Sequence, residues 1–93
     1  MEKIAELMRK GKPTIIDVRT PEEFMGGHVS GSINIPLGEI PRRIEELKQY
    51  SDIILCCASG ARSNRAHGIL QSNGIECHDG GPWLNVNYLA NNN

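Results

Sequence analysis

The sequence predicts an α/β sandwich, with helices on both faces of a mainly parallel sheet. Two observations carry this. Short apolar runs at residues 14–18, 33–35, 52–56 and 75–77 alternate with stretches of helical spacing. The strongest run, Asp52-Ile53-Ile54-Leu55-Cys56, shows no polar alternation, which calls for a covering layer on each face.

The elements follow in order. Ile4, Leu7 and Met8 have helical spacing, and Gly11 with Pro13 stops that helix. Thr14-Ile15-Ile16-Asp17-Val18 is a buried strand with one acid near its end. Thr20-Pro21-Glu22-Glu23 opens a short helix. Thr20 is its N-cap, Pro21 takes the first helical position, and Glu23 completes a capping box. This helix runs through Phe24 and ends at Gly26-Gly27. Ile33-Asn34-Ile35 is a second strand, ended by Pro36. Residues 41–50 are helical. Ile40, Ile44 and Leu47 share the apolar face, and Arg42, Arg43, Glu45, Glu46 and Lys48 form a solvated one. Beyond residues 52–56, Ala58-Ser59-Gly60-Ala61 is small and irregular. Residues 62–72 are helical, with Ala66, Ile69 and Leu70 inward and Gly74 past the C-terminus. Ile75-Glu76-Cys77 is a last strand. Gly80-Gly81-Pro82 then breaks the chain and starts a terminal helix with Trp83, Val86 and Leu89.

At 93 residues the chain is expected to form one domain, residues 1–93. Phe24, Tyr50, Trp83 and Tyr88 are its only aromatics, so the core rests on Ile, Leu and Val. Ten basic and 11 acidic residues leave a net charge of −1, which gives no footprint for nucleic acid or an anionic membrane. No apolar run approaches the ~18–20 residues of a membrane span. Residues 1–7 carry two acids and no long apolar stretch, so they are not expected to be a secretory signal. Three cysteines, Cys56, Cys57 and Cys77, are an odd count. That fits reduced thiols in the cytoplasm better than a disulfide framework. Cys77 and His78 are adjacent and no CxxC pair occurs, so no metal site is expected.

The chemistry concentrates at Cys57, where a buried strand turns into a helix. Backbone N–H groups of residues 58–63 are free of strand pairing and unused by the first helical turn. The helix N-terminus adds a positive end, and both favour thiolate over thiol. Ala58, Ser59, Gly60 and Ala61 are small, so the backbone curls tightly around the sulfur. Gly60 supplies freedom where the loop needs positive φ. Arg62 brings a fixed positive charge for an anionic substrate, and Ser63 closes the segment. These residues suit a nucleophilic sulfur whose charged adduct, a persulfide, phosphate ester or mixed disulfide, is held by backbone donors. Cys56 continues the apolar strand and is expected in the core, as is Cys77.

Several segments together resemble the rhodanese-like family. Asp17-Val18-Arg19, Pro21-Glu22-Glu23-Phe24 and Gly27-His28-Val29-Ser30-Gly31-Ser32-Ile33-Asn34-Ile35-Pro36 look like its N-terminal signature. Cys57-Ala58-Ser59-Gly60-Ala61-Arg62-Ser63 looks like its active loop, and Gly80-Gly81 followed by an aromatic resembles its C-terminal signature. The resemblance implies a three-layer sandwich with a central parallel sheet of about five strands. It implies transfer of sulfane sulfur through a persulfide on Cys57. The loop amides and Arg62 would hold an anionic sulfur donor such as thiosulfate, and the acceptor would be cyanide, a thiol or another protein. No cofactor is implied, and a monomer is expected. Trp83 departs from the pattern. It stands two residues after Gly81, where the family commonly places its tryptophan four after. It is expected to be a core anchor.

Two other functions compete. A Cdc25-like phosphatase needs five residues between cysteine and arginine, a spacing met by Cys56 and Arg62. Cys56 follows Leu55 rather than the usual His, and the glycine three residues on is present only when counting from Cys57. A non-catalytic rhodanese-like binding module typically lacks the cysteine, which is intact here. A vicinal Cys56–Cys57 redox switch needs a strained ring and ranks lowest. Asp17 is expected to brace the loop or pair with an arginine, with Arg19 beside it in a supporting role. His28 is expected to bond backbone between the short helix and the next strand. His67 and His78 are expected at the surface, and Arg65, one helical turn after Arg62, either extends the positive rim or is plain surface.

Overall fold

The computed structural model describes residues 2–92. The elements are α1 (Glu2–Lys10), β1 (Thr14–Asp17), α2 (Pro21–Met25), β2 (Ile33–Asn34), a 3-10 helix (Leu37–Arg43), α3 (Ile44–Leu47), β3 (Ile53–Cys57), α4 (Ala61–Ser72), β4 (Cys77–Pro82) and α5 (Trp83–Asn91). The strands form one parallel sheet in the order β2-β1-β3-β4. Four strands are described, one fewer than the resemblance implied.

Strand alternation divides the core in two. Ile53, Leu55 and Cys57 of β3 join Ile16 and Val18 on one face, covered by Ile40, Leu47, Ala66 and Leu70. Ile54 and Cys56 join Ile15 on the other, covered by Ile4, Met8 and Val86 of α1 and α5. β3 is buried on every residue, as its uninterrupted apolar run predicts. In register, Asp17 lies beside Cys56, so the polar end of β1 is carried to the end of the cysteine strand.

Three expectations are corrected. The helix predicted for residues 41–50 is a 3-10 helix to Arg43 followed by a single α-turn. Pro41 sits inside it and removes an N–H donor that an α-helix would use. The last strand starts only at Cys77, leaving Ile75 and Glu76 outside it, and Gly80-Gly81-Pro82 does not break it. β4 runs through all three, with a register shift opposite Leu55 and Cys57. The missing side chain of Gly80 is what lets it continue. A Cβ there would lie 2.7 Å from Val86 Cγ2, 2.8 Å from the Leu55 carbonyl and 2.9 Å from Ile54 Cγ2. The backbone of β4 is therefore pressed between β3 and α5. His67 and His78 are half-buried rather than solvent-facing.

Candidate active site

Cys57 is the last residue of β3, and Gly60 caps α4 with φ 107°. That left-handed turn folds the loop back over the sulfur. The Gly60 N–H donates to Cys57 Sγ at 3.0 Å and the Ser63 N–H at 3.3 Å. The thiol in turn donates to Ser63 Oγ at 3.5 Å, and the Ser63 hydroxyl donates to the Gly60 carbonyl at 3.1 Å. Ser63 is fully buried. Its hydroxyl thus relays between sulfur and backbone when the thiol is neutral, and is free to turn its proton to the sulfur when the thiol ionises.

Two effects oppose each other at Cys57. Burial pushes the thiol up. The Ser63 hydroxyl and the amides of Ser63, Gly60 and Arg62 pull it down, and together they win, leaving it below its ordinary value. Among the described residues, Cys56 has no such donors. Burial, with Asp17 nearby, pushes it up to about 12. Burial pushes Cys77 to about 11. Adjacent cysteines therefore sit on opposite faces of one strand with opposite chemistry. Cys57, like Cys56, exposes no surface. Above it, Ala58 and Ser59 are exposed, as is Ala61.

Asp17 and Arg19 form a buried pair. Arg19 Nη2 lies 2.8 Å from Asp17 Oδ2, and Arg19 Nε reaches both carboxylate oxygens. The guanidinium also donates to the Gly27 carbonyl at 2.7 Å and stacks 4.8 Å from the Trp83 ring centre. Trp83 is half-buried and packs against the α1–α5 side of the core. Its ring also lies against Gly27. Its unusual spacing therefore lets it lie over Arg19. Asn34 closes this corner by donating to the carbonyls of Asp17 and Arg19. His28 Nδ1 is 2.7 Å from the Phe24 carbonyl, and its ring stacks on Phe24 at 3.7 Å.

Arg62 reaches across to α2. Its Nη1 and Nη2 donate to Glu23 Oε1 and Oε2 at 2.8 and 3.0 Å. Glu23 accepts from the Thr20 N–H and hydroxyl as well, at 3.0 and 3.1 Å, which completes the capping box. Arg62 and then the Thr20 amide hold the Glu23 carboxyl down to about 2. From the sequence, Glu23 reads as a capping residue and as part of the N-terminal signature, with no role at the cysteine loop. Its contact with Arg62, 39 residues away, had no local signal beyond the carboxylate that the capping box fixes in place.

The profile of the Rhodanese-like domain matches residues 1–82. The chain belongs to the rhodanese-like family. This rhodanese-like domain is 43% identical over 63 residues to Uncharacterized protein YqhL of Bacillus subtilis, covering 68% of the chain and 50% of the relative. It is 41% identical over 61 residues to Thiosulfate sulfurtransferase PspE of Escherichia coli, covering 63% of the chain and 59% of the relative. The chain thus spans about half the length of these curated relatives. Among solved structures it is similar to a rhodanese with anions from E. coli, with a TM-score of 0.71 and 32% identity over 80% of this chain and 91% of that one. A rhodanese-like domain protein from Staphylococcus aureus gives a TM-score of 0.77 at 27% identity, over 88% and 80% of the two chains.

Proposed function

We propose that this rhodanese-like domain is a sulfurtransferase that carries sulfane sulfur as a persulfide on Cys57. The observation that supports the reading most is the Cys57 sulfur itself, held at a strand end by the Gly60 and Ser63 amides with its ionisation favoured. The thiolate attacks the outer sulfur of a donor such as thiosulfate. A new S–S bond forms, and the old one breaks with its electron pair on the leaving sulfite. The terminal persulfide sulfur then bears the negative charge within the ring of peptide N–H groups of residues 58–63, with Arg62 nearby. A thiophilic acceptor (cyanide, a thiol or a protein) takes that sulfur, and Cys57 departs as a thiolate. A thiolate of lowered basicity is the better leaving group. Asp17 and Arg19 act indirectly, by fixing the end of β1 beside β3. The names of related sulfurtransferases agree with this reading. Three free thiols in so small a chain also suit a reducing compartment such as the cytoplasm.

The phosphatase reading depends on Cys56. That sulfur lies on the α1–α5 face, away from the loop amides, with its proton firmly held. The geometry therefore favours Cys57. The test is intact mass after incubation with thiosulfate. A gain of one sulfur atom is expected in the wild type and in Cys56→Ala, and none in Cys57→Ser. Loss of loading in Cys56→Ala alone, or cysteine-dependent hydrolysis of an aryl phosphate, overturns the proposal.

A further inference from the structure

Both guanidiniums at the carboxyl end of the sheet are already matched with carboxylates. Arg19 is paired with buried Asp17, and Arg62 is bound through two nitrogens to Glu23. The four charges alternate and cancel. The Glu23 carboxylate is held twice over, by Arg62 and by the Thr20 N–H and hydroxyl, so swinging away would cost it the carboxylate half of the capping box. Arg65, one helical turn beyond Arg62, does not replace it. Its side chain lines a groove with Leu37, Gly68, Ile69 and Ser72, along the flank of α4.

We propose that Glu23 is a positioning residue that sets the charge of the sulfur donor, biasing the site toward donors with one negative charge over dianions. This rests on the sulfurtransferase reading above. The attacked sulfur of any donor enters the amide ring, where one negative charge is well accommodated. The remainder of the donor then faces Arg62, whose charge is felt at Cys57, and with it Glu23. A second charge on that remainder meets a guanidinium already neutralised and a carboxylate within the same pair. A donor whose outer part is neutral meets no such opposition. Glu23 touches neither Cys57 nor the transferred sulfur, so it acts through Arg62 and affects binding rather than the chemical step.

Thiosulfate and methanethiosulfonate test this, since they deliver the same sulfane sulfur from a dianion and a monoanion. With thiosulfate the bond to sulfur breaks to release sulfite; with methanethiosulfonate it releases methanesulfinate. In both, the electron pair leaves with the departing group. Glu23→Gln keeps a capping-box side chain and frees Arg62. It should lower KM for thiosulfate about threefold to fivefold, the range of an exposed ion pair, with kcat unchanged. KM for methanethiosulfonate should stay within about twofold. The neighbouring Glu22→Gln, which leaves the Arg62 pair intact, should change neither. An equal drop in KM for both donors, no change for either, or the same shift in Glu22→Gln overturns the proposal. So does a rise in both constants, which would mean that Arg62 needs Glu23 to be useful at all. Failure of both donors to load Cys57 in the wild type overturns the sulfurtransferase reading instead, so the two failures are distinct.

Discussion

Cys57 belongs to two environments at once. Strand alternation groups it with Ile53 and Leu55 in the core, and the turn at Gly60 brings amides onto its sulfur. Burial and hydrogen bonding then compete, and the donors decide the outcome. The Ser63 hydroxyl is the donor most open to test, because its removal leaves the amides of Ser63, Gly60 and Arg62 in place. In Ser63→Ala the thiol should ionise at higher pH, so the midpoint of the alkylation-rate profile moves upward. Alkylation at neutral pH slows several-fold, as expected on losing one hydrogen bond to a charged group. The Gly60 carbonyl keeps the Asn64 N–H at 3.1 Å, so the variant orphans no buried acceptor. An unchanged profile would mean that the amides alone hold the thiolate. The sequence exposed Cys57 and its loop because smallness, a glycine and a strand–helix junction are local features. It did not expose the engagement of Arg62. A bidentate contact with Glu23 depends on how two distant helices are placed, which no local pattern encodes.

Among the elements, β4 departs most from its sequence. A Gly-Gly-Pro run reads as a break, because glycine and proline lower strand propensity. Propensity lost here to packing. Parallel pairing with β3 uses only backbone groups, and the space beside Gly80 excludes a side chain. Gly80→Ala should accordingly destabilise the fold by about 1–3 kcal/mol, the cost of overpacking a well-filled core. Urea denaturation would measure it, and a change below about 0.5 kcal/mol, typical of an unconstrained surface site, would contradict the contact geometry. α2 shows the opposite case. Thr20, Pro21 and Glu23 specify its start by themselves, and the capping box forms as the spacing predicts.

At the scale of the whole molecule, one sheet separates two cores and three free thiols of different character. Burial pushes the Cys56 and Cys77 thiols up, and hydrogen bonds draw the Cys57 thiol down. The consequence for stability follows from sign. A buried thiol whose folded pKa is raised keeps its proton in the native state and loses it on unfolding. Its stabilising effect is complete below the ordinary value of 9.0 and is lost progressively as pH rises from there to about 12. Cys56 alone should therefore lower stability by about 1.4 kcal/mol per pH unit above that onset. Cys57 works in the opposite direction. Its lowered pKa contributes stability above the ordinary thiol range, lost as pH falls through its folded value. Denaturation midpoints between neutral and alkaline pH should show the fall, and its slope should be shallower in Cys56→Ala. Equal slopes would mean that the Cys56 thiol is not the group responsible.

The amino-acid order alone determined the α/β class, the parallel central strand, the capped helix α2 and the cysteine loop. Each of these rests on periodicity or on chemistry within a few residues. Tertiary structure decided which face each cysteine takes, that β4 passes through Gly80-Gly81-Pro82, and that Glu23 occupies Arg62. Those outcomes depend on burial and on charges brought together from distant parts of the chain, and they exist only once the sheet has assembled.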